Sequence, residues 1–391
     1  MTGQALPTHP GLIGGPVYLD YNATTPVDIR VADVMLPYLR ELFGNPSSSH
    51  PYASAPRRAL ADARAQVAAL IGAREPEVVF TGSGSEANLL ALRGAVLAAD
   101  LPRAHLITQV TEHPAVLETA RALERLHGVR VTVLPVDSDG LLDPAVLAAA
   151  MDEDTAVVSV MAANNETGAL QPIGELAELA HSRGALFHCD AAQAAGKIAL
   201  DVAELGVDLL TVVGHKMYAP KATAALCVRE GVALEPVVYG GGQERGLRAG
   251  TENVALAVAL GTAAELAGQE LADGAPGRNA QLRDDLHRRL EAALPGRVRL
   301  NGPVQQRLPN TLNISIDGVL GHELLAAVPE IAASTGSACH SGTHAPSPVL
   351  TAMGLEPVRA LGALRLSLGR WSTHADIETA ADALGKAAVA R

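Results

Sequence analysis

Between residues 77 and 228, short runs of β-branched and aliphatic residues alternate with Ala- and Leu-rich stretches of helical period. The runs are EVVF (77–80), HLITQ (105–109), VRVTVLPV (129–136), AVVSVM (156–161), ALFHCD (185–190), LLTVVG (209–214) and AALCV (224–228). Helix-like stretches at 85–99, 115–127, 142–151 and 172–183 lie between them. A strand that rejoins its sheet through a helix pairs in parallel, so the alternation predicts an α/β fold with a parallel or mixed sheet. The pattern stops near residue 230, where the Gly-rich segment YGGGQERGLRAGTEN (239–253) leads into a helical region over 254–294. The remainder reads as a smaller α+β unit: strands near 297–300 and 311–316, a helix from 321, a Ser/Gly/Thr-rich loop around Cys339, the strand ALRLSLGR (363–370) and a closing helix. The expected domains are 15–256 and 257–391, with residues 1–14 as an arm.

Composition narrows the function classes. A net charge of −12 argues against a broad nucleic-acid or anionic-membrane surface. Cys189, Cys227 and Cys339 form neither a CxxC pair nor a disulfide framework, which fits a reducing cytoplasm. No basic segment followed by an apolar core opens the chain, and no stretch reaches about 18 uninterrupted apolar residues, so neither an export signal nor a membrane span is expected. Cys189 and Cys227 sit in apolar strands and read as core. His188, Cys189 and Asp190 are consecutive and cannot converge on one ion from a single strand, so no metal site is expected.

Several residues at the ends of runs could carry chemistry. Lys216, in TVVGHK (211–216), follows a strand where α/β sheets bind ligands, and could form a Schiff base; it could equally be a surface lysine. Asp190 ends an apolar strand, where a carboxylate needs a partner such as a cationic ring nitrogen, or caps the next helix; Gln193 lies close by. The turn before Gly84 and Ser85 suits a phosphate at a helix N-terminus. His113 could stack on a ring and move protons, and Asn165 could hold a carboxylate. Arg365 in a strand suits a forked carboxylate clamp or an ion pair. Cys339, in STGSACHSGTHAPSPVL (334–350), is either an accidental surface thiol or a nucleophile.

Taken in order, these motifs resemble the NifS-like cysteine desulfurases of the class V aminotransferase group. The likeness runs from VYLDYNATTPVD (17–28) and FGNPSSSH (43–50) to LRLSLGRW (364–371). ANNETG (163–168), VVGHKMYAPK (212–221), RLPNT (307–311) and ACHSGTHAPSPVL (338–350) look closer still to the selenocysteine lyase branch. The resemblance implies a fold-type I pyridoxal phosphate enzyme, with a mixed seven-stranded sheet and a smaller C-terminal domain. It implies that Lys216 holds the cofactor, Asp190 pairs with the pyridinium nitrogen, Gln193 bonds the phenolic oxygen and His113 stacks on the ring. Gly84, Ser85 and His215 would bind the phosphate, Asn165 and Arg365 the substrate carboxylate. Thr251 would reach the phosphate of a neighbouring subunit, hence a homodimer. Cys339 would take sulfur from L-cysteine as a persulfide, with His340 or His113 as proton acceptor, and a sulfur-acceptor protein could follow. With L-selenocysteine the same residues would release selenium, and Cys339 could be a proton donor. An aminotransferase or kynureninase-like lyase of this fold would not need Cys339, and a relict scaffold would not turn over at all.

There are departures. Val213 stands where desulfurases usually carry a phosphate-binding Ser, and only 21 residues follow Arg370, which argues against a general iron–sulfur donor.

Overall fold

The computed structural model describes residues 7–99, 101, 103–336 and 345–390. After β1 (Val17–Tyr18), α1 (Ile29–Arg40) and α2 (Ser54–Leu70), the central sheet is built from β2 (Val78–Thr81), β3 (His105–Gln109), β4 (Arg130–Leu134), β5 (Thr155–Ser159), β6 (Leu186–Asp190), β7 (Leu209–Val213) and β8 (Ala224–Val228). The crossovers are α3 (Gly84–Ala98), α4 (Pro114–His127), α5 (Pro144–Ala150) and α6 (Ile173–Ser182). The strand order is β2-β8-β7-β6-β5-β3-β4, and β8 runs opposite to the other six. The mixed seven-stranded sheet is therefore as expected, and every strand but β8 ends at the same edge.

The continuous apolar runs follow from burial on both faces. Val78, Ile107, Val158, Leu210 and Cys227 pack into one layer with Val67, Leu147, Leu176 and Leu260. Their chain neighbours Val79, Leu106, Val157, Leu209 and Leu226 pack into the other with Leu90, Val116 and Leu123. That is the period-two alternation of a strand, with an apolar residue on each side. Cys189 and Cys227 belong to the first layer, and burial pushes both thiols up, Cys227 to about 12.

The helical region at 254–294 is not continuous. It breaks into α7 (Val254–Ala272) and α8 (Ala275–Ala293). Gly274 takes φ +77° between them, and Pro276 opens the second helix. Glycine in the left-handed region ends helices and proline starts them, so the local signal was present in ADGAPGR. By length and composition α7 could cross a bilayer; half of it is buried, and it packs against α1 and α2.

The C-terminal part comprises β9 (Val298–Leu300), β10 (Thr311–Ile316), α9 (Gly321–Ala326), β11 (Ile331–Ala332), α10 (Pro348–Ala352), α11 (Pro357–Leu361), β12 (Ala363–Ser367) and α12 (His374–Val389). An antiparallel sheet, β12-β10-β9, buries Ile314, Leu364 and Leu366 against Leu286, Leu290 and Leu384. The N-terminal segment joins this part: β1 pairs in parallel with β11, Leu19 enters the same core, and Asp20 bridges Ser367. Arg370, its side chain fully buried, contacts Asp28 and Glu270 and lies 3.9 Å over the Tyr218 ring, tying the C-terminal strand to both α1 and α7.

Candidate active site

A cavity of about 1040 Å3 opens where the parallel strands end and β12 approaches. This is the edge at which open α/β sheets bind ligands. Gly84, Ser85, His113, Asn165, Asp190, Gln193, His215, Lys216 and Arg365 all line it. Thr251 does not; it is exposed, outside the residues that line the cavity. Cys339 and His340 lie outside the described residues, while Gly336 and Ala345, on either side of them in sequence, line the cavity.

Each position has a local cause. At the end of β2, Ser83 caps α3 by accepting from the Glu86 N–H at 3.1 Å, leaving the first amides of that 15-residue helix toward the cavity. A Cβ on Gly84 would sit 2.5 Å from Val213 Cγ2, so only glycine lets α3 begin this close to β7. After β3, His113 caps α4, its Nδ1 accepting from the Ala115 N–H at 3.1 Å, which fixes the neutral tautomer with hydrogen on Nε2. Burial, with a smaller contribution from Lys216, lowers the His113 pKa. Asp190 ends β6, 4% exposed; it accepts from Asn88 Nδ2 at 2.7 Å and from the Ala192 N–H at 2.9 Å. The turn Gly214–Lys216 ends β7. Tyr218 follows at φ 64°, a strained conformation for a bulky residue, and is held there by Thr25 Oγ1 on its N–H and by Arg370 N–H on its hydroxyl.

The site is cationic and largely desolvated. Lys216 Nζ donates to the carbonyls of Asn22 and Ala23, and burial, then Arg365, pushes its pKa down to about 8. Burial, then Lys216, brings His215 down to about 4; its Nδ1 lies 3.2 Å from Thr24 Oγ1. Arg365 binds Asp20 at 2.7 Å and the Asn165 carbonyl at 3.2 Å, and its buried Nε has no partner among the described residues. Of the paired asparagines in ANNETG, only Asn165 faces the cavity. Asn164 accepts from the N–H groups of Glu166 and Thr167 and shapes the turn.

Sequence reasoning missed several participants. Asn22, 1% exposed, is a hub: its carbonyl takes Lys216 and Gln193, its Oδ1 takes Lys197 and Asn310, and its Nδ2 donates to Thr311 and Asn165. Its partners lie far away in the chain, so no local signal could have found it. Asn88 and Glu112 were also missed. Glu112 accepts from the Met161 N–H and Gln109 Nε2, its Oε2 is buried without a partner among the described residues, and burial raises its pKa to about 8. Such a carboxyl is neutral near pH 7, which spares the cavity a second anion beside Asp190.

The chemistry of the donor set fits a flat, anionic, carbonyl-bearing ring with a basic nitrogen: the α3 N-terminus could meet the anion, Lys216 the carbonyl, Asp190 the nitrogen and His113 the ring face. The family model for aminotransferase class-V matches residues 17–379. A cysteine desulfurase of Nostoc sp. is 47% identical over 364 residues, 93% of this chain and 90% of that protein. The cysteine desulfurase IscS of Dictyoglomus turgidum is 43% identical, over 94% and 93% of the two chains. Among solved structures, a NifS-like protein superposes with a TM-score of 0.88 at 34% identity, covering 95% of this chain and 98% of that one. SspA in complex with cysteine superposes at 0.80 with 33% identity, over 91% and 99%. The chain belongs to the aminotransferase class-V family.

Proposed function

We propose that the protein is a pyridoxal phosphate-dependent cysteine desulfurase, converting L-cysteine to L-alanine with transfer of sulfur to Cys339. The observation that carries the reading is the convergence of Lys216, Asp190, Arg365 and the α3 N-terminus on one cavity. Relatives at 43–47% identity that bear the name cysteine desulfurase support it.

When bound, pyridoxal phosphate supplies an electron sink for the substrate's Cα. The chain's residues do the rest. Lys216 Nζ, with its pKa near 8, is basic enough to take the Cα proton yet largely free of its own proton at mildly alkaline pH. Asp190, held by Asn88 and the Ala192 N–H, presents a carboxylate to the ring nitrogen. Gln193 donates to the phenolic oxygen, and His113 covers the ring. Gly84, Ser85 and His215 hold the phosphate; with Val213 at the usual Ser position, one hydroxyl is missing from that set. Arg365, whose Nε has no partner among the described residues, binds the substrate carboxylate with Asn165. The Cys339 thiolate attacks the substrate sulfur. The Cβ–S electrons pass to carbon, a proton completes the methyl of alanine, and Cys339 is left as a persulfide. Thr251 reaches a second subunit's phosphate, so the enzyme works as a homodimer. The domain division at 15–256 and 257–391 belongs to the same proposal.

The test is alanine release by the protein loaded with cofactor, from L-cysteine and from L-selenocysteine, for the wild type and Cys339→Ala. Loss of the cysteine activity alone in Cys339→Ala supports the proposal. Wild-type activity on selenocysteine only would make the protein a selenocysteine lyase, and alanine from neither substrate would refute both.

A further inference from the structure

Gln193, 3% exposed, has its side-chain amide fixed at both ends. Lys197 Nζ donates to its Oε1 at 2.6 Å, and its Nε2 donates to the Asn22 carbonyl at 2.9 Å. Rotating the amide by half a turn would set two carbonyl oxygens against each other and leave Lys197 without that acceptor. Lys197 is itself oriented, because its other contact is Asn22 Oδ1 at 3.2 Å, an oxygen that also accepts from Asn310 Nδ2 at 3.1 Å. One Nε2–H of Gln193 remains for whatever fills the cavity that Gln193 lines.

We infer that Lys197 is a positioning residue: by holding Oε1 of Gln193, it turns an N–H rather than a carbonyl toward the cavity, as an acceptor oxygen on a bound ring requires. The inference rests on the pyridoxal phosphate reading, in which that oxygen is the ring's phenolate. Burial, then Lys216 and Arg365, hold Lys197 well below the ordinary lysine range.

The test is a double-mutant cycle of Lys197→Met and Gln193→Leu, read by the pH titration of the bound cofactor's visible absorption. That titration reports loss of the proton shared between the lysine nitrogen and the phenolate oxygen. A donated N–H stabilises the phenolate most once this proton has gone, so losing the N–H raises the midpoint. Lys197→Met is expected to raise it by about one pH unit, a tenfold change in proton affinity, and Gln193→Leu by a similar amount. In the Gln193→Leu background Lys197→Met should add almost nothing, while Lys197→Arg, which keeps a donor, should titrate like the wild type. Asp20, Glu112, His113, Asp190, His215, Lys216 and Arg365 also surround the cavity but are common to every arm of the cycle, so their contributions cancel. An equal rise in both backgrounds would mean that Lys197 acts by its own charge, and would overturn the inference, as would no rise at all. Should Lys197→Met fail to fold, Lys197→Gln replaces it, with a smaller rise that must also vanish beside Gln193→Leu. A wild type that develops no visible band would instead refute the cofactor reading itself.

Discussion

Replacing Gly84 by alanine should damage the site through one contact. The added Cβ would lie 2.5 Å from Val213 Cγ2, while the Val213 Cβ is 3.8 Å away and harmless. Val213 is 6% exposed and β-branched, so it has few rotamers to escape into. Either the valine turns into a poorer rotamer or the start of α3 moves away from β7. Overpacking of this kind costs about 1–3 kcal/mol. Val213→Ala removes the offending methyl and by itself costs about 1.5 kcal/mol for the lost burial. The double variant should therefore be about as stable as Val213→Ala alone, a favourable coupling of about 1–3 kcal/mol. Urea denaturation of the cofactor-free proteins measures this. Titration with pyridoxal phosphate should follow the same pattern, since moving α3 moves its amides: weaker in Gly84→Ala, about tenfold for each 1.4 kcal/mol, and recovered in the double variant. If Gly84→Ala unfolds at the wild-type midpoint, or if the two costs simply add, the contact is not what requires glycine there.

Other expectations follow from the same geometry. Glu112 has a folded pKa of about 8 against an ordinary 4.5, so the folded state holds that proton more tightly and stability falls as pH rises through that window. Glu112→Gln should match the wild type in urea near pH 5 and exceed it near pH 9; a constant difference would refute this. Glu244, at φ 47°, accepts from Arg64 at 2.7 Å through both oxygens and from the Phe80 N–H at 2.9 Å. Glu244→Ala should cost about 3–5 kcal/mol by urea denaturation, because a buried guanidinium loses its forked partner and keeps as its carboxylate partner the half-exposed Glu75 at 3.6 Å. Arg365→Lys gives up the forked donor, so KM for L-cysteine should rise about ten- to a hundredfold while cofactor titration is unchanged.

Much of the architecture was legible in the sequence because the central strands are buried on both faces, which writes them as apolar runs, and because the cavity-lining residues follow the strands directly. Lys216, Asp190 and His113 could be picked out for that reason. The failures have different causes. The break at Gly274 carried its own turn signal and was overridden by the apolar period on either side. Asn22 and Lys197 gave no such signal, because Asn22 meets Lys216 and Thr311 only after the chain has folded. Glu112 was unreadable for a different reason: nothing local shows that its second oxygen ends up buried, with no donor among the described residues.

On the proposed function, Lys216 carries the cofactor. Lys197 and Lys221 also lie close to it, Lys221 on the cavity wall and Lys197 beside Gln193, so the attachment can be put to a direct choice. The protein is incubated with pyridoxal phosphate, reduced with borohydride, digested and mapped by mass spectrometry. One stoichiometric adduct is expected on the peptide carrying Lys216, abolished in Lys216→Ala. An adduct on Lys197 or Lys221, or label scattered over surface lysines, would contradict it.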